Sequence, residues 1–154
     1  MTTLLESLPH RHVVTLPAEP SAVRLARQTA EQVLTEWGVN AGHATVGPAL
    51  LILGELVTNS IRHAVPPSDQ VTIVFAVGAN CLAFAVHDRR PHQPRLCDAG
   101  AGNPGGGLAT VMKLTTGLGG TAVVRGDGDG RGKSIWITLP LGPPYATTQG
   151  RRQA

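Results

Sequence analysis

Apolar residues return at helical spacing in two stretches of the chain and alternate in five others. From Pro20 to Trp37 the segment PSAVRLARQTAEQVLTEW places Val23, Ala26, Ala30, Val33, Leu34 and Trp37 on one face, and Gly38 closes it. A second helical stretch runs from about Thr45 to Ala64, with Leu50, Leu53, Leu56, Val57, Ile61 and Ala64 as its apolar stripe, and stops at Val65-Pro66-Pro67. Ahead of both, HVVTLP reads as a short strand ending at Pro17, a residue tolerated at a sheet edge. VTIVFAVG and CLAFAVHD read as strands joined by a turn at Ala79-Asn80, and TAVVR and SIWITLP read as a second strand pair around GDGDGRG.

Between these pairs, RRPHQPRLCDAGAGNP has no periodicity. At about sixteen residues it exceeds an ordinary connection and reads as a lid, after which a glycine cluster opens a third helix, GGGLATVMKLTT. Tight turns between strand pairs and helices in blocks predict an α+β fold: a two-layer sandwich of one mostly antiparallel sheet with helices on one face. Residues 1–154 form a single domain, with a core over about 11–141 and a flexible tail over 142–154.

Composition adds limits. A chain of 154 residues that is 42% hydrophobic has room for one real core and no second domain. A net charge of +3, five aromatic residues and no basic stripe argue against direct nucleic-acid binding. Neither an n-region followed by an apolar h-region nor an apolar run of eighteen residues is present, so membrane spanning and secretion are not expected. Cys81 and Cys97 make no CxxC pair, Cys81 reads as a small core residue, and a reducing cytoplasm suits both.

Two motifs near the C-terminus mislead. GRGKS ends like a P-loop, but Asp127 stands where the pattern needs its first glycine, and SIWITLP is a strand where a helix is required. Asp127, Asp129 and Gly132 begin an EF-hand spacing, yet Thr138 stands where a bidentate Glu belongs. GDGDGRG is a hairpin loop, and Lys133 reads as its solvated lysine.

The second helix carries the chemistry. Glu55 and Asn59 are one turn apart on a face beside the apolar stripe, with Arg62 a turn further on and His63 next to it. By spacing alone this is compatible with a solvated face holding a Glu–Asn hydrogen bond, and His63 reads as packing.

The letters Glu55, Asn59, Ser60, His63 and Ala64 in ELVTNSIRHA resemble the first box of the ATPase superfamily that includes gyrase B, the sensor histidine kinases and MutL, known as GHKL. Within it the pattern is most similar to the small anti-sigma-factor serine/threonine kinases. Asp88 at the end of a strand resembles the second box, Gly105, Gly107 and Leu108 the glycine box after the lid, and Ser134 the hydroxyl residue of the last box.

The resemblance implies a Bergerat-type ATP-binding fold with ATP and Mg2+ as cofactors. Asn59 would supply the metal ligand, for which one amide oxygen with phosphate oxygens suffices. Glu55 would be the catalytic base. Arg62, Gly105, Gly107 and Leu108 would lie near the phosphates, Asp88 would accept the adenine amine, and Ser134 would border the adenine. It also implies a cytoplasmic regulator that holds a sigma factor and phosphorylates a small antagonist protein, acts without membrane or nucleic acid, and is in keeping with a homodimer. The alternative is a module of the same fold that holds partners without phosphotransfer. One departure stands out: where the second box often reads D-x-G-x-G, this chain has Asp88-Arg89-Arg90-Pro91, which is stiffer.

Overall fold

The computed structural model describes residues 10–62, 70–89 and 107–142. In chain order these form β1 (His10–Pro17), α1 (Ser21–Glu36), α2 (Val46–Arg62), β2 (Gln70–Val77), β3 (Cys81–Asp88), α3 (Gly107–Gly117), β4 (Thr121–Gly126) and β5 (Lys133–Pro140). The five strands make one sheet in the order β1-β2-β3-β5-β4, and every neighbouring pair is antiparallel. The expected α+β sandwich is the observed architecture, with β1 at the expected edge. The expectations that fall on His63, Ala64, Gly105, residues 90–104 and the tail from 143 lie outside the described residues.

The core lies between one face of the sheet and the three helices. Alternation sends Val71, Ile73, Phe75 and Val77 of β2, Leu82, Phe84 and Val86 of β3, and Ile135, Ile137 and Leu139 of β5 to the helix side, where all are buried. The opposite face holds a small cluster of Ala76 and Ala83 beneath Trp136. Helix α1 buries Ala22, Ala26, Ala30, Val33 and Leu34, close to the expected stripe. It ends where Gly38 takes φ 83°, a left-handed turn that glycine adopts without strain, with the Val39 N–H returning to the Leu34 carbonyl.

Helix α2 packs against both α1 and α3. Its buried surface is therefore wider than one stripe: Val46, Ala49, Ile52, Leu53, Gly54, Leu56, Val57 and Ser60 are all enclosed, while Leu50 and Ile61 are only partly so. Cys81, at the start of β3, is half-buried rather than a core residue.

The start of α2 is tied to the end of β5. His43 Nδ1 accepts the Thr45 N–H at 3.0 Å, which leaves Nε2 as the donor to the Leu141 carbonyl at 2.7 Å. The Thr45 hydroxyl donates to the Pro140 carbonyl at 3.2 Å. These bonds fix one end of α2 to one end of the sheet. The other end of the helix, carrying Asn59 and Arg62, runs toward the sheet end from which β2 departs and at which β3 finishes.

Candidate functional site

A helix enclosed on most sides leaves few positions for polar side chains, and α2 uses them in its second half. Glu55, Thr58 and Asn59 are half-buried between enclosed neighbours, and Arg62 is the exposed last residue. No hydrogen bond joins Glu55 to Asn59, so the pair does not hold itself together as an ordinary helix-face couple does. A carboxylate and an amide, one turn apart and partly screened from water, can offer oxygen atoms to a cation and to a proton.

Asp88 ends β3 on the helix side of the sheet and is buried, 4% exposed. A buried carboxylate requires a counter-charge, and here that charge is Lys133, whose Nζ donates to Oδ1 at 2.7 Å and to Oδ2 at 2.9 Å. The two residues are direct partners in the β3–β5 register. Lys133 is 2% exposed, so the expectation of a solvated hairpin lysine is wrong.

The physical reason was present in the sequence. Lys133 continues the inward set Ile135, Ile137 and Leu139 at period two, so its side chain enters the helix layer and must find an anion there. The same alternation corrects the placement of Ser134, which pairs in register with His87 and Arg125. Its half-buried side chain lies on the sheet face away from Asp88, and Lys133 is the residue beside Asp88.

On that other face the β4–β5 loop is clasped to the end of β3. His87 Nε2 lies 2.9 Å from Asp127 Oδ2, and Arg89 donates to Asp127 and to Asp129, each at 2.9 Å. The Arg89 hydrogen bond, and then the Arg131 backbone N–H, hold the Asp129 carboxyl below the usual range. Gly132 makes this close approach possible. A Cβ there would lie 2.4 Å from Asp127 Oδ2 and 2.7 Å from the Asp88 carbonyl oxygen. The loop that resembles both a P-loop and a calcium site is thus a clasp whose acidic residues face His87 and Arg89.

Of the remaining expected site residues, Gly107 opens α3 and Leu108 packs, half-buried, against the core. Among the described residues no group of three or more His, Cys, Asp or Glu side chains could hold a metal, so a cation at Asn59 would take its other ligands from phosphate and water. Nor is any helix among them long and apolar enough to cross a membrane. One feature without a sequence signal is a cavity of about 480 Å³ at the opposite end of the sheet, where His10 stacks on Trp37 at 5.3 Å.

A family model described as a histidine kinase-like ATPase domain matches residues 16–138, from the end of β1 into β5. The chain belongs to this family of histidine kinase-like ATPase domains. No curated protein sequence matches this ATPase domain.

Among solved structures, it resembles the histidine kinase domain of a blue-light activated histidine kinase from Erythrobacter litoralis. The TM-score is 0.51 with 21% identity, over 82% of this chain and 62% of that one. The mycobacterial sensor histidine kinase MprB has a TM-score of 0.47 and 18% identity, over 62% of this chain and 73% of that one. At such identities the first likeness concerns the fold. The ATPase domain spans less than two thirds of the length of that Erythrobacter chain.

Proposed function

We propose that this ATPase domain is an ATP-binding regulator of the anti-sigma-factor serine/threonine kinase type. It would hold a sigma factor and phosphorylate a serine or threonine of a small antagonist protein. The observation that carries the reading is the half-buried Glu55–Asn59 couple on a helix otherwise enclosed by apolar neighbours, within a sequence whose remaining boxes follow in the order of that kinase group.

The residues suit the cofactors. The Asn59 amide oxygen is the ligand for Mg2+, and Arg62, exposed at the end of α2, adds positive charge near phosphates. Asp88 is the acceptor for the base, and the start of α3 at Gly107 offers backbone N–H groups to an anion. ATP, when bound, supplies the phosphoryl group. Glu55 accepts the proton of the antagonist's hydroxyl, a contribution worth about 10² to 10⁴ in rate.

A second reading, a module that holds its partners without phosphotransfer, is favoured by the commitment of both Asp88 oxygens to Lys133. Titration with Mg-ATP followed by a labelled phosphotransfer assay on candidate antagonists separates the two. Under the kinase reading Glu55→Ala keeps ATP binding and loses about 10² to 10⁴ of the transfer rate. A wild-type protein that binds Mg-ATP and phosphorylates no antagonist leaves the module.

A further inference from the structure

The helices cover one face of the sheet, and no helix or strand among the described residues packs on the other. On that open face the strand registers align one residue from each strand: Val13 pairs with Val74, Val74 with Ala85, Ala85 with Trp136, and Trp136 with Val123. All five are apolar. Val13 is 50% and Val123 36% exposed, Val74 and Trp136 are half-buried, and only Ala85 is enclosed. The row crosses the whole sheet, and four strand spacings of about 4.8 Å make it about 19 Å long. An apolar strip that runs unbroken across an uncovered face marks an interaction surface.

Charge selects the partner. The rows on either side of the strip consist of hydroxyl residues, alanines, His87 and two arginines, and none of these residues is acidic. Arg11 stands in one flanking row at the β1 edge, and Arg125 in the other flanking row at the β4 edge. Both are exposed, and neither makes an ion pair among the described residues. Asp127 and Asp129 of the neighbouring loop are already held by His87 and Arg89. We infer that this face docks an amphipathic helix of a partner protein, with the apolar stripe of the helix on the strip and acidic residues on its flanks. The inference goes beyond the nucleotide-binding reading and does not depend on it.

The dimensions fit one helix. At 1.5 Å per residue about 13 residues span the strip, and apolar positions at i, i+3, i+4 and i+7 give a stripe as narrow as a single row of side chains. Acidic residues on its two flanks, toward opposite ends, meet Arg11 and Arg125 and face no carboxylate. A second copy of the chain suits this face less well. Packing two such sheets together would set one arginine-bearing face against another and enclose the hydroxyl-rich rows of both, where each hydroxyl needs a partner. Docking also leaves Glu55 and Asn59 accessible, because α2 packs in the layer on the far side of the sheet.

The test uses the whole chain and labelled peptides of about 18 residues, long enough to be helical, read by fluorescence anisotropy. One peptide has leucines at helical spacing with glutamates on the flanks, a second has the same leucines with lysines on the flanks, and a third is the glutamate peptide scrambled. The glutamate peptide is expected to bind saturably, at least about tenfold tighter than either of the others, and to weaken as salt rises. Val13→Thr with Val123→Thr, which keeps size and strand preference at exposed positions, is expected to weaken it about tenfold, and Arg11→Gln with Arg125→Gln about threefold to tenfold. Absence of saturable binding up to about 1 mM, or equal binding of the glutamate and lysine peptides, overturns the inference. Unchanged affinity in the Val13→Thr, Val123→Thr protein places the peptide elsewhere and does the same. A wild-type dimer in sedimentation analysis that this double variant turns into a monomer assigns the face to a second copy and overturns the inference equally. Circular dichroism checks both variants, and should either unfold, the peptide comparison on the wild-type protein decides alone.

Discussion

Replacing Lys133 with methionine tests whether the ion pair is as enclosed as its geometry states. Methionine matches the lysine stem in length and apolar character but removes the ammonium, which leaves Asp88 buried without its counter-charge. Both partners are enclosed, with side chains 2% and 5% exposed, so solvent cannot replace the lost interaction. Breaking a buried pair from one side costs about 3–5 kcal/mol. For a domain of this size, with a urea dependence of about 2 kcal/mol per M, the unfolding midpoint should fall by about 2 M.

Removing both charges should be far milder. Asp88→Asn combined with Lys133→Met should lie within about 1–2 kcal/mol of wild type, because neither side chain is then left as an uncompensated ion. Arg131→Met, an exposed cation in the same loop, serves as the control and should change stability by less than about 0.5 kcal/mol. Urea melts followed by circular dichroism measure all four proteins. A Lys133→Met midpoint indistinguishable from that of Arg131→Met would refute the reasoning, as would a double variant no more stable than the single one.

Three further outcomes follow from the same structure. Gly132→Ala should destabilise by about 1–3 kcal/mol in urea melts, since the new methyl meets backbone at the end of β3, whereas Gly128→Ala, with nothing within 4 Å, should be close to neutral. Asn59→Ala should abolish the magnesium-dependent part of ATP affinity with little change in melting temperature, read by titration with and without Mg2+. Asp129 has a lowered folded pKa, so its share of stability is present above the unfolded carboxylate value of about 3.9 and is lost as pH falls below it. Arg89→Ala should therefore flatten the decline of melting temperature on the acid side of that value.

The order and type of the elements are legible in the sequence because periodicity reports which side of an element faces the core. Glu55 and Asn59 stand out for the same reason, as polar letters in a helix with little room for them. Pair formation across the sheet is harder to read, since Asp88 and Lys133 are 45 residues apart and meet only through the β3–β5 register. One signal was nonetheless available: a lysine in phase with Ile135, Ile137 and Leu139 must point inward, and an inward lysine needs an acid. The width of the buried surface of α2 was less accessible, because it depends on α3 packing against the helix from a distant part of the chain, which no local pattern in α2 records.

The sheet order places β5, the last strand in the chain, between β3 and β4. Hairpins such as β2–β3 can zip locally, but β3 and β4 can be joined only by inserting a strand made after both. Until that insertion occurs, β3 has an open edge and Asp88 lacks its folded-state partner Lys133. Non-local strand pairing of this kind forms late and slowly, after the loop-closure entropy has been met. The pair that would contact a base is therefore among the last parts of the domain to assemble, and during synthesis on the ribosome no nucleotide could find a finished pocket before residue 140 has emerged. If Asp88 meets the base as proposed, a chain able to hold a base there has already closed its sheet.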